Sequence, residues 1–82
     1  MGSKRFRGVL FVSKVGDHAP CHVHAFIGRG EVIVEFTADR HARLCKRDDA
    51  VRGATVSEVK KVLRTAAQHA EILLSLWEEA HA

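Results

Sequence analysis

Eighty-two residues with an apolar share of 46% suffice for one small domain with its own core, and the ordinary composition excludes a low-complexity or repeat-built chain. No apolar run approaches the roughly eighteen residues of a membrane helix and no secretory signal is visible, so a cytoplasmic protein without a membrane partner is expected. The net charge of +3 is unevenly spread: all thirteen Lys and Arg residues lie at or before Arg64, while residues 65–82 carry Glu71, Glu78 and Glu79 and no Lys or Arg. Such a basic body can meet nucleic acid or an acidic protein, or simply keep the domain soluble.

Taken in order, residues 1–4 read as a flexible start, 5–47 as a sheet and 55–80 as a helix, all in a single domain 1–82. Arg5 to Val15 is rich in Val and Phe and predicts a first strand, in which Gly8 marks a bulge or a close backbone approach. Cys21 to Ile27 and Glu31 to Thr37 predict a hairpin around Gly28-Arg29-Gly30. With Arg29-Gly30 as the two-residue loop and Gly30 at positive φ, Ile27 faces Val32, Ala25 faces Val34 and Val23 faces Phe36. On the other face the same register sets His24 against Glu35, a carboxylate that would fix the imidazole's tautomer.

Ala42 to Lys46 predicts a short strand at a sheet edge, and Lys46 to Gly53 a polar loop. Thr55 and Glu58 fit a capping box. Val56, Val59, Leu63, Ala66, Ala70, Leu73 and Trp77 then recur at helical spacing, with no Gly or Pro up to Ala80. A single helix of that length approaches about 40 Å and would overhang a small sheet, offering its last turns, around Leu74, Trp77 and Glu78, to a second copy or another protein. Its charge order, bases early and acids late, opposes the helix dipole. The fold class is therefore α+β: an antiparallel sheet of three to four short strands, with a central hairpin, packed against one long C-terminal helix.

Asp17 to His24 reads Asp-His-Ala-Pro-Cys-His-Val-His and concentrates three of the six histidines. On a strand, His22 and His24 leave the same face, while Val23, Ala25 and Ile27 leave the other. Three readings follow. His22 and His24, with His18 or Cys21 arriving from the loop, can supply ligands to zinc or another transition metal, although no closed four-ligand set is evident. His22 or His24, with Glu35, can act as general acid or base in phosphodiester cleavage. In the third reading Asp17, His18 and Pro20 shape the loop and the histidines hydrogen-bond to backbone or Glu35. A structural or interaction role leads, and no cofactor is assigned outright. Cys21 and Cys45 are read as free thiols. His41, His69 and His81 are read as surface residues, and Trp77 as a core or interface anchor.

This Asp-His-x-Pro-x-His-x-His run, the turn Gly28-Arg29-Gly30-Glu31, and a helix with Glu71, Leu73-Leu74 and Trp77 together resemble the small prokaryotic domain-of-unknown-function family 4160. The resemblance spans roughly Phe6 to Glu79. Members typically carry a second proline where this chain has Cys21, and a shorter connection around Lys46 to Gly53. The resemblance implies a partner-dependent bacterial module of the toxin–antitoxin kind and supplies no established chemistry. The binding candidates are Asp17, His18, Pro20, Arg29 and Trp77. The leading expectation is a small interaction module that binds a protein partner or a second copy, with nucleic acid compatible with its charge; a histidine- or metal-dependent phosphodiesterase is the alternative.

Overall fold

The structure, a computed structural model, describes residues 2–13 and 22–80. It is an α+β arrangement in which two helices cover one face of an antiparallel sheet. The sheet is larger than the sequence predicts. Strands β1 (Gly2–Phe6), β2 (Val9–Ser13), β3 (His22–Ile27), β4 (Gly30–Phe36) and β5 (Ala42–Leu44) lie in that spatial order, and β6 (Val51–Arg52) also pairs with β4.

The expected first strand is in fact a hairpin. Phe6 pairs with Val9 across Arg7-Gly8, and both turn residues have positive φ, 52° and 80°. Two consecutive left-handed residues are what a type I′ turn requires, and its twist matches that of the flanking strands. Gly8 is therefore a turn glycine rather than a bulge. Gly2 and Ser3, expected to be a flexible start, are ladder residues of β1.

The central hairpin forms, but two residues out of the expected register. Ile27 pairs with Gly30, Ala25 with Val32, Val23 with Val34 and His22 with Glu35. The loop is Gly28-Arg29, and Gly28, not Gly30, has positive φ, 55°. A shift of two preserves which face each side chain takes, so the apolar pattern alone does not distinguish the registers. Local backbone packing does. A Cβ on Gly30 would lie 2.7 Å from the Ala54 nitrogen, so Gly30 lets the chain entering the helix cross directly over the strand.

The loop expected over Lys46 to Gly53 hides β6. Glu35 pairs with Arg43 on β5, and Val32 with Val51 on β6. Between them the Ile33 carbonyl accepts from the Cys45 N–H (3.0 Å), and the Ile33 N–H donates to the Ala50 carbonyl (2.8 Å). Residues 42–52 thus act as one edge strand from which Lys46 to Asp49 bulge outward. Arg47 donates two hydrogen bonds to the Asp49 carboxylate, at 3.0 and 2.9 Å, and holds that carboxyl below its ordinary range.

The expected single helix is two: α1 (Val56–Gln68) and α2 (Ala70–Ala80). The Thr55–Glu58 capping box opens α1 as expected. Neither Gly nor Pro causes the break. His69, expected at the surface, leaves helical geometry (φ −121°, ψ 29°), and its ring stacks on Phe6 with centroids 3.8 Å apart and planes 6° apart. That tertiary contact outweighs local helix propensity. The bend also brings α2 back over the sheet. The molecule is 33 Å in its longest dimension, shorter than a straight helix of this length, and Leu76 packs on Gly2. The expected overhang is absent, and with it the reason for a partner contact at Leu74, Trp77 and Glu78. The charge conflict also shrinks, because Glu71 now sits in the first turn of α2, where the helix dipole favours an acid.

The core lies between the helices and one sheet face. Val9, Phe11, Val23, Ala25, Val32 and Val34 meet Val62, Ala66 and Leu73, all of them fully buried. Val56, expected in the helix stripe, is instead 72% exposed, because the stripe runs through Val62 and Ala66.

Candidate functional site

Strict alternation along β2, β3 and β4 sends the other set of side chains to the face away from the helices. That face carries Leu10 and Val12 from β2, His22, His24 and Phe26 from β3, and Glu31, Ile33 and Glu35 from β4. Arg43 on β5 and Arg52 on β6 extend it at the edge. No described helix covers it. Ile33 is buried there under Cys45, a free thiol, and Ala50, which form a second, smaller core with it.

His22, His24 and Glu35 are buried, at 7%, 7% and 4% exposure. Burying ionisable groups is costly unless each is hydrogen-bonded or paired. His24 Nδ1 lies 2.8 Å from Glu31 Oε2. With its proton on Nδ1 the imidazole donates to this carboxylate, and Nε2 becomes the lone-pair atom. Glu35 accepts from the Arg43 guanidinium at the sheet edge. The two imidazoles stand edge to face, with centroids 5.6 Å apart. The result is a band of two histidines, each beside a carboxylate, closed by one arginine.

The candidates His22, His24 and Glu35 therefore do come together, with different partners. Glu35 stands across from His22 instead of His24, and His24 takes Glu31, one position before β4's Val32. Glu31 and Arg43 were not singled out by sequence reasoning. The two-residue register shift concealed Glu31, and Arg43 read only as an edge charge. Arg29 is exposed at the far end of β3, roughly 20 Å of strand from His22, and Trp77 belongs to the helix layer. Neither joins the histidines. Asp17, His18, Pro20 and Cys21 lie outside the described residues, as does His81. Among the described residues no three His, Cys, Asp or Glu side chains form a metal-ligand group. A metal site on His22 and His24 would draw on residues beyond that set.

The family model described as Domain of unknown function (DUF4160) matches residues 6–78. The chain belongs to this family. The match takes in β2 to β6, the whole histidine stretch, α1 and nearly all of α2, and leaves out all of β1 but Phe6, so the face described above lies within the family domain. No curated protein and no solved structure matches the chain. Among the described residues no helix is long and apolar enough to cross a membrane.

Proposed function

We propose that the chain is a small interaction module, resembling a toxin–antitoxin component, whose sheet face opposite α1 and α2 receives a protein partner. The observation that supports this is the composition of that face. Leu10, Val12 and Phe26 are only partly buried there, directly beside the band of His22, His24, Glu31 and Glu35. An apolar strip bordered by fixed charges gives a partner both buried area and orientation. The test is sedimentation of the purified protein, alone and with the product of its genomic neighbour. A complex that Phe26→Glu abolishes supports the reading. A strict monomer that ignores the neighbour at micromolar concentration overturns it.

One contact favours a second reading, a histidine- or metal-dependent phosphodiesterase. The Glu31–His24 hydrogen bond orients an imidazole for proton transfer, or for binding zinc or another transition metal. Turnover on RNA that is lost in His22→Ala and His24→Ala, with the fold intact, would carry it. A wild-type protein inert on RNA and DNA, with and without zinc, removes it.

A further inference from the structure

We infer that the exposed face of α1, together with the two hairpin turns beneath it, forms a second binding surface that takes the phosphate backbone of duplex DNA. This surface lies in the helix layer, away from the face proposed for the protein partner.

The helix buries Val62, Thr65 and Ala66. Lys60, Lys61 and Arg64 fall on the opposite side, all exposed and within one turn of each other. Both hairpin turns come up to this helix. The ammonium of Lys61 would stand 4.0 Å from a Cβ on Gly8, in the Arg7-Gly8 turn. Glu58, one turn earlier, lies against Gly28, in the Gly28-Arg29 turn. Arg7 and Arg29 are both exposed at those turns, so five cations gather at one end of the molecule.

Like Lys4, Arg5, Lys46 and Arg52, and unlike three arginines elsewhere, the five keep their charge without an ion pair among the described residues. Those three, Arg40, Arg43 and Arg47, hold the carboxylates of Glu71, Glu35 and Asp49. Glu58, the acid beside the Gly28-Arg29 turn, accepts from the Thr55 N–H of its own helix cap at 2.9 Å and forms no ion pair with the five cations. Arg7 also occupies a left-handed turn position (φ 52°) that Asn or Gly would fill with less strain. An uncompensated cluster kept at a strained position suits an anionic ligand.

The surroundings choose among anions. Ser57, Ala67 and Gln68 share the exposed side, and no aromatic side chain stands among them. Single strands are held on aromatic stacking platforms, which this surface lacks. Protein partners seat on large buried anchors, and membranes on an inserted apolar face; the single exposed Val56 is neither. A duplex stacks its base faces inside, so it asks for no aromatic platform, and it presents its phosphates outermost. The major groove of B-form DNA admits a helix, whereas that of A-form RNA does not.

Fluorescence anisotropy of a short labelled DNA duplex with the full chain, across about 50 to 200 mM salt, tests this. Engagement of all five cations predicts a slope of log affinity against log salt near −4.5, at about −0.9 per phosphate. Lys61→Gln with Arg64→Gln should lower the slope by about 2 and weaken binding at every salt concentration, while Arg40→Gln leaves both unchanged. Circular dichroism melting confirms that the variants stay folded. Absence of duplex binding at the lowest salt overturns the inference. So does binding that the double variant leaves intact, tighter binding of single-stranded RNA, or binding of an acidic protein in place of DNA. The partner-face variant Phe26→Glu should bind the duplex like the parent, so the two proposals fail separately.

Discussion

The two faces of the sheet are built from alternate residues of the same strands, yet they obey different rules. Toward the helices, Val9, Phe11, Val23, Ala25, Val32 and Val34 are fully buried, and what holds them is area removed from water. Away from the helices, His22, His24 and Glu35 are nearly as buried. There, directed bonds, His24 with Glu31 and Glu35 with Arg43, are what make burial of those two groups tolerable. The first face needs only volume and polarity to be right. The second needs particular partners at particular positions, so a change to one residue strands another.

The largest effect should come from the first face. Phe11→Ala empties a ring-sized space between sheet and helices and should cost about 3–5 kcal/mol. Urea unfolding reads this as a lowered midpoint with an unchanged slope. A loss below about 1 kcal/mol would mean that the site collapses freely and that this face is not close-packed.

Gly30→Ala should come next. It adds one methyl to the helix-covered side, 2.7 Å from the Ala54 nitrogen and 2.8 Å from its Cα. Backbone cannot rotate aside as a side chain does, so the cost should be about 1–3 kcal/mol. The same unfolding measurement checks it. A neutral outcome would return Gly30 to the turn, and with it the register that pairs Ile27 with Val32.

On the second face, Glu31→Ala removes the hydrogen-bond partner of the His24 Nδ1 and should cost about 1–3 kcal/mol. A double-mutant cycle with His24→Ala should show coupling of about 0.5–3 kcal/mol. Strict additivity would show that the two side chains act independently and that the contrast between the faces is overstated.

The same contrast explains what could be read from the sequence. Period-two alternation assigned His22 and His24 to one face and Val23 and Ala25 to the other, and both assignments hold. Alternation cannot distinguish registers two residues apart, so Glu31 was hidden behind Glu35. The capping box at Thr55 is a local signal and was legible. The break at His69 rests on stacking against Phe6, sixty-three positions earlier in the chain, and no local pattern announces it. The Arg7-Gly8 turn was missed because arginine is not a usual left-handed residue. The β6 pairing was missed because the bulge of Lys46 to Asp49 interrupts the edge strand.

The smallest effect concerns that bulge, which carries the cover of Ile33 on the second face. The hydrogen bonds from Arg47 favour the ionised Asp49 carboxyl, so its folded pKa lies below the ordinary aspartate value of 3.8. A group whose folded pKa is lowered contributes stability above its unfolded value and loses that contribution as pH falls through the folded one. The pair should therefore support the fold at neutral pH and cease to do so only in strong acid. Asp49 is solvent-facing, so water and salt screen the pair and the change in stability should be slight. The titration itself is the better readout. Carbon-detected NMR should place the Asp49 midpoint below 3.8, and Arg47→Gln should raise it toward that value. Added salt should do the same more weakly. A midpoint at or above 3.8 that ignores Arg47→Gln would show that the bulge is not fastened by this pair. The cover over Ile33 would then rest on its two backbone hydrogen bonds, to Cys45 and Ala50, alone.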